Sequence, residues 1–276
     1  MRERIPGASE ENLQLPAIKP ILGDWYDHPE IYDLSLRDET PLEAAFIEAA
    51  CRKYCPFAVR NLLEPACGSG RLVAEMAARG YHVTGLDLNA KALAYARRRL
   101  ARRKLRGELH QADMTDFDLP RPVDAAFCMV NSFRHLLTES AARSHLAAVA
   151  RNLRPGGIYI LGLHLVPPDA DDAAIERWRT REGSTQVSTD LRVVAVDHRR
   201  RIETLQVSLL VRRGEKLWRF RGRFDLRLYT AAQFRKLLAG VPGLELCDVY
   251  DFWYEIDEPL KLNNEISDTV FILRKL

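Results

Sequence analysis

The stretch NLLEPACGSGRLVAEMAARG, Asn61–Gly80, decides how the rest of the chain is read. Apolar residues lead into Glu64, then a loop carrying Gly68 and Gly70, then a helical pattern that Gly80 closes. A glycine loop between a strand and a helix can hold a phosphate, a dinucleotide or an amino-acid-bearing nucleoside. The dinucleotide fingerprint asks for a third glycine where Val73 stands, and the G-x-x-x-x-G-K-[ST] phosphate loop is absent. A carboxylate at Glu64 would repel a pyrophosphate and suits a ligand with a cationic group.

The residues that follow narrow the ligand further. GLDLN puts Asp87 at the end of a second strand, 19 residues beyond Gly68, where an acid commonly accepts hydrogen bonds from ribose hydroxyls. QADM puts Asp113 after a third strand. Glycine loop, ribose acid and further acid together describe a nucleoside with a cationic, amino-acid-like end and no phosphate. S-adenosylmethionine fits that description. Taken singly, Glu64 could serve only the dipole of the following helix, and Asp87 could be a helix cap.

At these residues the chain resembles the class I S-adenosylmethionine-dependent methyltransferases. LEPACGSGRL is similar to the family's first motif, GLDL to its second and ADM to its third. FCMVNSF resembles the segment after its fourth strand, and LRPGG the turn before its fifth. One departure is Ala66, where the family usually has glycine; alanine is small enough to keep the backbone close to the ligand. The resemblance implies that Glu64 contacts the methionine part and that Ala66, Cys67, Gly68, Ser69 and Gly70 give close backbone approach. It implies that Asp87 holds the ribose, with Leu88 on adenine, and that Asp113 and Met114 meet the adenine amino group and ring. Met129 and Val130 would line the methionine side. Tyr32, in PEIYDLS, resembles an aromatic that covers the cofactor in small-molecule members.

Strands and helices alternate from about residue 40 to 168, which predicts βαβ units and a parallel sheet. Thr40 is read as the cap of a helix over TPLEAAFIEAACRKYC, with Pro41 in its first turn. Asn89 and Thr138 are read as caps of two later helices. After Pro168 the pattern becomes three antiparallel strands, the last with Phe220, Gly222, Phe224, Leu226 and Leu228 alternating with charged residues. The fold expectation is therefore α/β: a Rossmann-like methyltransferase sheet with helices on both faces, plus an antiparallel β insertion after strand five. The divisions are 1–39, an N-terminal arm that starts loose; 40–168, the cofactor-binding core; 169–229, the insertion, covering the acceptor site; and 230–276, completing the core sheet.

Composition excludes several classes. The 276 residues carry a net charge of +3, too little to argue for nucleic acid alone. The basic run ARRRLARRKLRG wraps around one helix and reads as a solvated face, so nucleic acid is the weaker reading. No apolar run is long enough for a membrane helix, and the start carries no secretory h-region. Five sparse cysteines fit a reducing cytoplasm and no disulfide framework. No metal site is expected, since Cys51 and Cys55 have no second pair at ligand spacing.

The segment CMVNSF lacks the [DNS]-P-P-[YF] of enzymes that methylate exocyclic amines in nucleic acid or glutamine, and it resembles the small-molecule group. The expectation is therefore methyl transfer to N or O of a small-molecule acceptor, with a non-catalytic cofactor-binding protein as the contrasting class. His135 and His164 fall where the acceptor should lie, and either could act as a base. Trp178, Trp253 and Tyr254 could line its pocket. The Arg face of the insertion's last strand could meet solvent, an anionic acceptor or a second copy in a homodimer.

Overall fold

The computed structural model describes residues 19–167, 170, 173 and 175–276. Its centre is a seven-stranded sheet. Five parallel strands, β2 (Asn61–Pro65), β3 (His82–Asp87), β4 (Glu108–Gln111), β5 (Val123–Cys128) and β6 (Leu153–His164), lie in the order β6-β5-β2-β3-β4. β12 (Asp268–Lys275) adds antiparallel to β6, and β11 (Leu244–Tyr250) pairs with β12 at the edge. The two closing strands thus complete the main sheet.

Central strands of a parallel sheet are covered on both faces, so they read as continuous apolar runs. Every residue of β5 is buried. Period two divides them. Leu62, Ala125, Phe127, Ile158 and Ile160 pack on the face covered by α2 (Thr40–Tyr54), α3 (Arg71–Ala78) and α4 (Ala90–Arg102). Leu63, Ala126, Cys128, Tyr159 and Leu161 pack on the other, covered by α5 (Glu139–Asn152) and α6 (Ala231–Ala239).

Most of the caps form as their chemistry demands. Asn89 accepts from the N–H groups of Lys91 and Ala92, and Thr138 accepts from Ala141. Thr230 and Gln233 make a reciprocal capping box on α6. Thr40 does not cap α2. A 3-10 turn over Arg37–Glu39 runs straight into the helix, so Glu39 takes the cap position with helical dihedrals and Thr40 lies inside. The Thr40 hydroxyl accepts from Arg71 instead.

A second, five-stranded sheet has the order β1-β10-β9-β8-β7. It comprises β1 (Ile21–Leu22), β7 (Ile175–Glu182), β8 (Thr185–Asp197), β9 (Ile202–Arg213) and β10 (Lys216–Arg227). It holds four strands of the 169–229 segment, where the sequence reading expected three. β7, IERWRTRE, escaped because its charges hide any apolar alternation. The fifth strand comes from the N-terminal segment. Residues 1–18 of the expected loose arm lie outside the described residues, but from Ile21 onward the chain is tied down. Ile21 pairs with Phe220, and Trp25, Ile31, Tyr32 and Leu34 pack on Val187, Val207, Leu209 and Val211 of the sheet's inner face. The alternation of β10 holds at Arg221, Arg223 and Asp225, which are exposed. It fails at Arg227, which is buried and donates to the carbonyl of Leu137 at 2.5 Å.

A buried polar bridge lies within the core on the α5 side of the sheet. His145, on α5, is fully buried between the Met114 carbonyl (Nδ1, 2.8 Å) and the Tyr159 hydroxyl (Nε2, 2.7 Å). A carbonyl can only accept, so Nδ1 carries the proton and Nε2 accepts from tyrosine. Burial pushes the imidazole down to about 4. The unfolded chain therefore binds a proton near pH 6.5 that the native state refuses until about 4. Stability is full above that window and falls as pH drops through it, by about 3 kcal/mol from this group alone. Urea unfolding across that range should give this slope, and it should flatten in His145→Gln.

Candidate active site

Where β2 ends, the chain must turn sharply into α3, and it does so through left-handed residues. Ala66, Gly68 and Gly70 have φ of 55°, 52° and 66°. At Gly70 a Cβ would sit 2.7 Å from the Cβ of Ala96, so only glycine lets α3 and α4 approach there. At Gly68 a Cβ would meet the Tyr32 hydroxyl at 2.9 Å, because Tyr32 from α1 (Pro29–Leu36) lies over the loop. Ala66 holds φ > 0 without glycine's freedom, and Val130 and Asn131, after β5, do the same at 53° and 66°. Backbone strain of this kind clusters at binding sites.

Asp87, at the tip of β3, organises the loop. Its Oδ2 accepts the Gly68 N–H at 2.7 Å and its Oδ1 the Asn89 N–H at 2.8 Å. Burial raises its pKa, and those two N–H groups pull it back. Glu64 is 6 % exposed and accepts the Val73 N–H at 3.1 Å. Burial pushes its carboxyl well up, opposed by the nearby Arg71 guanidinium. Arg71 is itself held by Glu43, fully buried, at 2.6 Å.

The Arg-rich helix takes part in this architecture. Arg99 donates to the Ser69 carbonyl at 3.1 Å and pairs with the buried Asp33 of α1; Arg97 donates to the Leu109 carbonyl at 3.0 Å. Two of the residues read as a solvated face therefore staple the glycine loop and the neighbouring strand.

The C-terminal ends of the parallel strands and the inner face of the second sheet enclose a cavity of about 770 Å³. It brings together Tyr32, Glu64, Ala66, Cys67, Gly68, Asp87, Leu88, Met114, Met129, Val130, His135 and His164. Gly70 stands behind it at the start of α3. Asp113 does not reach it: the residue is exposed and its Oδ1 accepts the Thr115 N–H at 2.8 Å, closing a turn. Trp178 lines the cavity, whereas Trp253 is 74 % exposed and Tyr254 packs in the core.

The two histidines differ. His135 meets the Tyr26 hydroxyl through Nε2 at 2.8 Å, among the rings of Tyr26 and Phe224. Burial and the adjoining Arg134 push it down to about 4. His164, at the end of β6, meets the Asp268 carboxylate through Nδ1 at 2.7 Å. A carboxylate there fixes the proton on Nδ1 and leaves Nε2 as the basic nitrogen. Asp268 comes from β12, more than a hundred residues away in sequence, and only the β6–β12 register, which sets Asp268 opposite His164, reveals it. Asn131 accepts the His164 N–H at 2.8 Å. Tyr26, Arg71, Arg134, Glu176 and Glu203 also line the cavity, and no sequence motif marked them.

Comparisons with known proteins agree with this architecture. A methyltransferase-domain family matches residues 62–157. The chain is 32% identical over 162 residues to a dTDP-3-amino-3,6-dideoxy-alpha-D-glucopyranose N,N-dimethyltransferase of Streptomyces fradiae, covering 58% of this chain and 62% of that one. It is 33% identical over 138 residues to a dTDP-3-amino-3,4,6-trideoxy-alpha-D-glucopyranose N,N-dimethyltransferase of Streptomyces venezuelae, covering 49% and 56%. The matches thus span less than two thirds of each relative's length. The fold is similar to the crystal structure of an S-adenosylmethionine-dependent methyltransferase from Clostridium acetobutylicum, with a TM-score of 0.75, 18% identity and coverage of 91% of this chain and 98% of that one. The parallel sheet with its antiparallel β12 and the glycine turn over Asp87 thus give the chain the fold of S-adenosylmethionine-dependent methyltransferases, and residues 62–157 match a methyltransferase domain.

Proposed function

We propose that the protein binds S-adenosylmethionine and transfers its methyl group to nitrogen or oxygen of a small-molecule acceptor. The observation that carries this reading is the single cavity joining the glycine loop and Asp87 to the His164–Asp268 pair. Its residues fit the cofactor. Asp87 offers an ionisable acceptor to ribose hydroxyls, and the carboxylates of Glu64 and Asp24 suit a ligand carrying ammonium and sulfonium charge. Gly68 admits close backbone approach under Tyr32. Glu64, Ala66, Cys67, Met129 and Val130 serve the methionine side, Leu88 and Met114 the base.

Bound S-adenosylmethionine supplies an electrophilic methyl group. The chain's own contribution is position, exclusion of water and removal of a proton. The inner face of the second sheet shields the acceptor half of the cavity with Leu205, Phe224 and Leu226. His164 takes the proton from an acceptor N–H or O–H at Nε2, while Asp268 stabilises the resulting imidazolium. His135 holds Tyr26, and through it the N-terminal segment, against the site.

The direct test is calorimetry with S-adenosylmethionine and S-adenosylhomocysteine, with both expected to bind at micromolar concentrations. Absence of binding of either at high micromolar concentration would remove the proposal.

A further inference from the structure

The cavity's charge is one-sided. Among its described lining residues the only cations besides histidine are Arg71 and Arg134. Both are already neutralised. Arg71 is 11 % exposed and lies on Glu43, which is 0 % exposed. Arg134 is 4 % exposed, pairs with Glu203 and donates through Nε to the Arg227 carbonyl at 2.9 Å. The carboxylates Asp24, Asp87 and Glu176 also line the cavity, with no ion pair to a lining cation. The second sheet lines its side of the cavity largely with hydrocarbon, from Leu191, Val193, Val196, Leu205 and Leu226 beside Glu176 and Glu203.

A diphosphate in such a chamber would lose its hydration and meet like charge, with no free guanidinium to pair it. An amine meets the opposite field. It arrives cationic and is drawn in by the carboxylates; it then needs a base to become a nucleophile, and His164 is the histidine there backed by a carboxylate.

Resting on the methyltransferase reading, the geometry points to an acceptor that is an amine on an apolar, phosphate-free body. Such an acceptor differs in class from the diphosphate-bearing amino sugars named for the Streptomyces relatives.

The test uses the full-length protein saturated with S-adenosylhomocysteine, and calorimetry with three probes: 1-naphthylmethylamine, its anionic isostere 1-naphthoate, and thymidine 5′-diphosphate. The amine should bind at least about tenfold more tightly than either anion. Leu205→Arg, which places a free cation on the wall, should reverse the order while leaving S-adenosylhomocysteine affinity unchanged. Val193→Lys should do the same and replaces Leu205→Arg if that variant fails to fold. Failure of the amine to bind at millimolar concentration overturns the inference, as does tighter binding of thymidine diphosphate to the unmodified protein. In either case retained S-adenosylhomocysteine binding leaves the methyltransferase reading standing. Loss of S-adenosylhomocysteine binding itself would strike that reading instead.

Discussion

Asp87→Ala is expected to weaken S-adenosylhomocysteine binding by about a hundredfold or more. Two ribose hydroxyls would lose an ionised acceptor, and hydrogen bonds to charged groups contribute about 1.5–3 kcal/mol each. The structure adds a second route to the same loss. The carboxylate also receives the Gly68 and Asn89 N–H groups at 2.7 and 2.8 Å, so its removal releases the glycine loop as well as the ribose contact. Asp87→Asn separates the two. It keeps one carbonyl oxygen for the loop and loses the charge, and should fall between wild type and Asp87→Ala. Calorimetry on all three proteins, each checked for an unchanged circular dichroism spectrum, measures this. Retention of affinity within about threefold in Asp87→Ala would show that the acid serves only the turn.

His164→Ala is expected to lower kcat by about 10²–10⁴, the range in which positioned general bases contribute. S-adenosylhomocysteine affinity should stay the same, because the proposed mechanism assigns His164 to the acceptor. Asp268→Asn should give an intermediate loss, since it removes the carboxylate that sets the tautomer but leaves the imidazole. In His164→Ala the residual rate should climb with pH as the acceptor loses its own proton. His135→Ala should act differently. That imidazole is pushed down to about 4 and its Nε2 is engaged by Tyr26, so the change should raise KM more than it lowers kcat. A full-rate His164→Ala enzyme would show that the acceptor needs no base.

The core was legible because parallel strands and amphipathic helices are local patterns. β2, β3, β5 and β6 declare themselves by apolar runs, and α4 and α5 by caps at Asn89 and Thr138. The glycine loop was legible because a left-handed turn against Ala96 demands small residues. β7 was not, since both its faces carry polar or charged residues. The capping of α2 was misread because the conformation of the residues before Thr40 decides who caps, and their 3-10 turn has no mark at Thr40.

By itself, then, the chain's order of residues determined the sheet, the cradle and the acid that faces it, because each depends on neighbours within about twenty positions. Tertiary structure alone decided which groups share the cavity with them and how those groups are paired. Asp268 reaches His164 only through the register of β12 on β6. Arg71 and Arg134 are disarmed only because Glu43 and Glu203 fold onto them. Asp113, which its motif aimed at the ligand, turns to the Thr115 N–H. These are encounters between segments far apart in the chain, or choices among competing hydrogen-bond partners. No local pattern encodes either, because the energy that settles them comes from burial and from pairing between elements.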